Sequence, residues 1–229
     1  MLNKGLTSFF FFILLALSAN IKAQPYDQVV GLGFGCQVAH QLEENGVRKL
    51  AYPFDWFHTP FDGLAWFIVN QGKEFLNADK LIVAGPYPGD PVHLQVGEIV
   101  YGIVSYHDFL SNMSNYVEIK AKYDRRIKRF FDLLNSDQRV LFVSQSYTRM
   151  QIENLDGVLQ ILYPNLSYTL VAINSTPEYM DSWELDRIEN FYMEETPGDW
   201  RGNTPRWKEI LSQFEVVPVL QARPWEERW

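Results

Sequence analysis

Between residues 28 and 34 the chain reads Gln-Val-Val-Gly-Leu-Gly-Phe, a short apolar block closed by glycines. From residue 36 to 45 the apolar period lengthens, so that Val38, Ala39 and Leu42 share one helical face before Gly46. The first pattern predicts a buried strand and the second an amphipathic helix, joined by a tight turn. Residues 48–52 predict a second strand stopped by Pro53, residues 54–59 an aromatic loop, and a helix starts near Pro60. Alternation over residues 92–106 around Gly97-Glu98 predicts a β-hairpin, with His107-Asp108-Phe109 just past its end. Residues 115–135 form the longest helical pattern, offering Val117, Ala121, Ile127, Phe130, Phe131 and Leu134 to the core. Beyond it the spacing predicts a strand at 139–144, a helix at 149–162, a strand at 168–173, helices at 182–193 and 206–214, and a last short strand within 215–220. Strands and helices that alternate through short turns favour parallel pairing. The expected fold is therefore α/β, a single domain over residues 24–229 with a central, mostly parallel sheet, a β-hairpin insertion and flanking helices.

Composition adds two constraints. The first residues carry Lys4 and then an almost uninterrupted apolar run over residues 9–19. That is the form of a secretory signal peptide, too short for a comfortable membrane span. Cleavage after Ala23 starts the mature chain at Gln24 and implies an exported protein, secreted or periplasmic. Ile21 is larger than the usual small residue three places before the cut, so the alternative is an uncleaved membrane anchor. Without the leader, which holds Lys4 and Lys22 and no acid, 18 basic side chains face 28 acidic ones, a net charge of −10. Such a surface argues against nucleic acid as a partner, since phosphate binding needs local positive charge. The strongest basic cluster lies at residues 120–129, around Arg125 and Arg126.

The chain has one cysteine, so it cannot close an internal disulfide, and the fold stands on its core alone. Cys36 follows Gly31-Leu32-Gly33-Phe34-Gly35, where a strand hands over to a helix. A side chain there stands at the carboxyl edge of the sheet, the usual place for a ligand crevice in an open α/β fold. At a helix start, free backbone N–H groups and the positive end of the helix dipole favour thiolate over thiol. The same N–H groups, with the Gln37 amide, can face a developing oxyanion. These are the parts of a thiol nucleophile, which also needs an imidazole base.

Four histidines are available: His40, His58, His93 and His107. His40 lies one turn along the helix from Cys36, His58 sits in the aromatic loop, His93 falls inside a hairpin strand, and His107 follows a strand end. Asp55, Asp108 and Asn174 are candidates to orient the imidazole. Asp108 is awkward as a partner for its neighbour His107, because adjacent residues on an extended chain point to opposite sides. The aromatics Trp56, Trp66 and Trp200 are candidates to line a cleft. No zinc-ligand spacing, HExxH, GxSxG, kinase signature or phosphate-binding glycine loop occurs, so neither a metal nor a cofactor is expected.

Three stretches carry a resemblance: Gly35-Cys36-Gln37 with Val38, Ala39 and Leu42 behind it, Tyr52-Pro53-Phe54-Asp55-Trp56, and His107-Asp108-Phe109 followed by residues 123–130 with their paired arginines. Together they resemble a domain-of-unknown-function family of putative papain-like cysteine peptidases, over residues 27–207. The resemblance implies a catalytic pair of Cys36 and His107, with Asp55 as the third member, and Gln37, Trp56, Arg125 and Arg126 toward the oxyanion or the substrate. The Gly-Cys-Gln turn also looks similar to that of bacterial capsule-polysaccharide acetyltransferases, which carry Gly-Asn-Cys-Gln. Here Gly35 precedes Cys36 directly, without the Asn. The expected function is a peptidase or amidase that passes through a thioester, acting on a peptide, amide or acylated glycan. The alternatives are a cysteine-dependent acyltransferase working on surface glycans and a non-catalytic binding or structural module.

Overall fold

Alternate residues of the inner strands face two separate apolar cores, which fixes the architecture. The computed structural model describes residues 24–218; the expected leader over residues 1–23 and the chain after residue 218 lie outside them. The described chain runs β1 (Gln28–Gly31), α1 (Cys36–Glu44), β2 (Phe57–His58), α2 (Phe61–Val69), β3 (Leu81–Tyr87), β4 (Asp90–Glu98) and β5 (Ile103–Leu110). It continues with α3 (Tyr116–Leu134), β6 (Arg139–Gln145), α4 (Arg149–Leu162), β7 (Ser167–Asn174), β8 (Ile188–Tyr192) and α5 (Thr204–Leu211). A central parallel sheet has the order β1-β6-β7-β8, and an antiparallel sheet beside it has the order β2-β5-β4-β3. The chain is thus a mixed α/β single domain with five α-helices among the described residues.

One core holds Val29, Leu141, Val143, Val171 and Ile173 against Val38 and Leu42 of α1 and Trp207, Ile210 and Leu211 of α5. Val30, Val140, Phe142, Leu170 and Ala172 point the other way, toward Ile152, Leu155 and Leu159 of α4 and the aromatic side chains of α2 and α3. A strand covered on both faces reads as an unbroken apolar run, and Arg-Val-Leu-Phe-Val-Ser-Gln in β6 does so. Burying each such side chain contributes about 1.5–3 kcal/mol. The second core continues into the antiparallel sheet through a ring cluster, in which Phe57 stacks on Tyr123 at 4.6 Å and Phe54 meets Phe67 and Phe130 edge-on at 4.9 and 5.4 Å.

Five expectations change in the structure. Residues 182–193 do not form a helix: Ile188–Tyr192 is strand β8, paired with β7 over Leu170–Asn174. Trp183, Leu185, Ile188, Phe191 and Tyr192 are spaced like a helical stripe, but an open sheet edge beside them supplies backbone partners that the local pattern does not record. Residues 48–52 form no strand. The Ala51 carbonyl instead accepts from Arg129 Nη1 at 2.7 Å, and Arg48 turns inward to Asp55. The hairpin grows to a four-stranded sheet, because Leu81–Tyr87 pairs with β4 and Phe57–His58 with β5. In α3 the buried stripe is Ile119, Tyr123, Arg126, Phe130, Leu133 and Leu134, whereas Val117 is exposed. An arginine stands in that core-facing stripe where sequence reading looks for a hydrocarbon. The expected last strand reduces, among the described residues, to a single parallel bridge between Val216 and Tyr26.

Candidate active site

The carboxyl ends of all four parallel strands open into one cavity of about 920 Å³. β1 delivers Phe34, Gly35, Cys36 and Gln37 to it, β6 delivers Gln145 and Ser146, β7 Asn174 and Ser175, and the segment after β8 Met193 to Thr196. The facing wall is built by Tyr87 of β3, by Tyr106, His107 and Asp108 of β5, and by Lys122 and Arg126 of α3.

The turn that carries Cys36 is backbone-driven. Gly33 has φ +84°, and a Cβ there would lie 2.6 Å from Thr59 Oγ1, so only glycine fits. Phe34, Trp56 and Ser146 also adopt positive φ, at 78°, 70° and 64°, and all three line the cavity. Such residues cost about 1–3 kcal/mol each and gather at functional sites. Tyr147 braces the turn from below, its hydroxyl donating to the Thr59 carbonyl at 2.8 Å and the Leu32 carbonyl at 3.3 Å. Cys36 is the first residue of α1, whose N-cap Gly35 offers no side-chain cap, so the first-turn N–H groups are left to the cavity.

The thiol donates to the Trp56 carbonyl, with Sγ···O 3.5 Å. Its pKa is pushed up to about 11 from an ordinary 9.0, first by burial and then by the negative charge of Asp108, with a backbone N–H at Cys36 offsetting part. This corrects the expectation that the helix start alone would favour thiolate. Desolvation outweighs the dipole, and the resting group is a thiol.

A bulge assembles the facing wall. Leu94 and Val96 of β4 are two residues apart, yet their partners in β5 are Phe109 and Ser105, four apart. The two surplus residues fall in the segment Tyr106-His107-Asp108, and a bulge re-aims side chains that strict alternation would send to opposite faces. His107 therefore lies within β5 rather than past its end, and it shares the cavity with both of its neighbours. Asp108 is close enough for its charge to act on Cys36, and Tyr106 is also within electrostatic reach of Cys36. The exposed His107 ring meets Tyr87 edge-on at 5.2 Å and Tyr106 at 6.4 Å.

The side chains singled out in the sequence divide accordingly. Cys36, Gln37, Trp56, His107 and Arg126 line the cavity together. Asp55 does not: it is 2% exposed, its carboxylate pairs with Arg48 Nη1 at 3.0 Å, and it accepts from the Tyr52 N–H at 3.0 Å. It locks the loop that aims the Trp56 carbonyl. Arg125 does not line this cavity and instead lines a separate, smaller groove with Lys128 and Arg129. Asp108 accepts from Tyr123 Oη at 2.8 Å, from Ser105 Oγ at 3.3 Å and from Lys122 Nζ. Asn174 donates to the Tyr147 carbonyl at 2.9 Å. Of the remaining histidines, His58 packs on Phe34, His40 on Trp200 at the rim, and His93 on Asp90; none lines the cavity. Trp200 lines it, whereas Trp66 is exposed elsewhere. Sequence reading missed Tyr87, Lys122 and Ser146, which carry no local motif. The Gln37 amide rests on Gly202, where a Cβ would come within 1.8 Å of Nε2 at φ +76°. Among the described residues, no group of three or more His, Cys, Asp or Glu side chains is arranged to hold a metal ion.

The strand-turn-helix cysteine and one histidine thus share a cavity. Residues 27–175 match the family described as "Putative papain-like cysteine peptidase (DUF1796)", and the chain belongs to that family. It is also similar to "Uncharacterized protein R408" of Acanthamoeba polyphaga mimivirus, at 24% identity over 214 residues, covering 80% of this chain and 96% of the relative. No solved structure matches it significantly. Among the described residues no helix is long and apolar enough to cross a membrane.

Proposed function

We propose that the protein is a cysteine peptidase or amidase in which Cys36 is the nucleophile and His107 the proton carrier. The observation that supports this most is that the only thiol and a bulge-displaced imidazole line the same cavity at the carboxyl edge of the parallel sheet. Because the resting sulfur is protonated, the reaction begins with proton transfer from Sγ to a nitrogen of His107 as substrate enters. Sγ then bonds to the carbonyl carbon, and the oxyanion forms before the first-turn N–H groups of α1 and the Gln37 amide. The C–N bond breaks as the imidazolium returns its proton to the departing amine, leaving a thioester on Cys36. Water, deprotonated by His107, attacks that thioester, the C–Sγ bond breaks to release the acid, and the imidazolium returns its proton to Sγ. The geometry supports a dyad: Asp55 is taken by Arg48, and Asp108 by Lys122 and Tyr123. The family description supports water over a sugar hydroxyl as acceptor.

The raised thiol pKa favours a second reading, a binding module with a packed, inert sulfur. Incubation with a peptide library, followed by mass spectrometry of products and of the intact protein, separates the two. Cleavage with transient acyl mass on Cys36, lost in Cys36→Ala by at least about 10⁴-fold, is expected of the enzyme. No cleavage, or cleavage that survives in Cys36→Ala, overturns it.

A further inference from the structure

Among the described residues, α3 sends one cation into the cavity wall that forms no ion pair there. Arg126 is 3% exposed, lines the cavity that holds Cys36, and keeps Nη1 buried without a hydrogen-bond partner. Its guanidinium lies over the Tyr123 ring, 4.8 Å from the centroid, which fixes its plane. The nearby carboxylates have other partners: Asp108 has Lys122, Tyr123 and Ser105, and Asp55 holds Arg48 and the Tyr52 N–H through Oδ2, with Oδ1 buried and unpartnered. Across the cavity, Asp199 is paired with Arg201, and Glu195 accepts from Ser175 Oγ at 3.5 Å. The wall near α3 is thus net positive, while the opposite rim, with Glu194, Glu195 and Asp199, is negative. Burying an unpaired guanidinium is strongly unfavourable, and a planar anion entering the cavity relieves it. Arginine presents two parallel N–H groups that match a carboxylate.

We propose that Arg126 is the recognition site for a carboxylate on the substrate, so that the cavity takes an acidic peptide with its carboxylate toward α3 and the acidic rim turned away. The carboxylate belongs either to an Asp or Glu side chain or to a peptide C-terminus. This deepens the hydrolase reading, yet the recognition itself needs no catalysis.

The lone thiol provides a direct test. Cys36 is alkylated with anionic iodoacetate and neutral iodoacetamide at one alkaline pH, and the ratio of the two rates is compared between wild type and Arg126→Gln. The ratio is expected to fall about tenfold in the variant, as for loss of one charge-assisted contact. Arg126→Lys, which keeps the charge, retains most of the preference and controls for folding. An equal ratio in all three proteins, or a thiol that neither reagent reaches before unfolding, overturns the proposal. In the peptide library, wild-type cleavage is expected beside carboxylates, and C-terminally amidated peptides tell the two sources apart. The expected fall of the alkylation ratio in Arg126→Gln without any cleavage sinks the hydrolase reading while leaving the carboxylate site standing; cleavage indifferent to acidic residues and to free C-termini does the reverse.

Discussion

The two walls of the cavity are made in different ways. On the β1-α1 side a few consecutive residues do nearly everything: Gly33 allows the turn, Phe34 takes a positive φ, Gly35 leaves the helix start uncapped, and Cys36 and Gln37 follow. The facing wall draws Tyr87 from β3, the Tyr106-His107-Asp108 bulge from β5, and Lys122 and Arg126 from α3. The first wall presents backbone donors and a thiol, and the second presents titratable and charged side chains. A local turn can place a thiol, but under the proposed reaction the group that moves its proton has to arrive from across the fold.

The largest expected effect lies at His107. If the far wall moves the proton, His107→Gln lowers kcat by about 10²–10⁴-fold with little change in thermal stability, because the ring is exposed and lies outside both cores. Unchanged kcat in a steady-state peptide assay would remove the far wall from the chemistry. Asp55 sharpens the contrast from the other direction. It belongs to the scaffold of the near wall, and Asp55→Ala leaves Arg48 buried and partly unpaired. The expected cost is about 3–5 kcal/mol in urea unfolding, although the residue touches no substrate. Activity loss without loss of stability would return Asp55 to the catalytic group.

The smallest of these effects comes from Cys36 itself. Its folded pKa of about 11 lies above the ordinary 9.0. The folded state therefore holds the proton more tightly, and the associated stability is complete below about pH 9 and falls as pH rises toward 11. A shift of this size corresponds to about 2–3 kcal/mol. The unfolding free energy of wild type minus that of Cys36→Ala should therefore decline across this window. A flat difference would mean that the sulfur is less buried than the fold makes it.

Much of this was legible in one dimension. The strand-turn-helix around Cys36, the apolar runs of β6 and β7, and the helix over Arg149–Leu162 with its Thr148-Gln151 capping box all follow from local periodicity and cap chemistry. The helix expected over residues 182–193 failed because its apolar spacing satisfies both periods, and only the open edge of β7 selects the strand. The family resemblance implies Asp55 as a third member; in the fold its carboxylate holds Arg48, seven residues earlier, and local sequence does not mark that pairing. The buried stripe of α3 was misplaced because a charged residue was not allowed into it.

Local sequence was enough for the near wall and the position of the lone thiol, since a glycine turn, a helix start and a single cysteine are set by short-range sterics and composition. Only the tertiary structure decided which of four histidines reaches the sulfur's cavity, which carboxylates are already spent, and that Arg126 is left over. Those outcomes depend on a two-residue surplus in β5 and on the seating of α3 against the antiparallel sheet. Both arise from long-range pairing, in which a residue's role follows from what already occupies its neighbours.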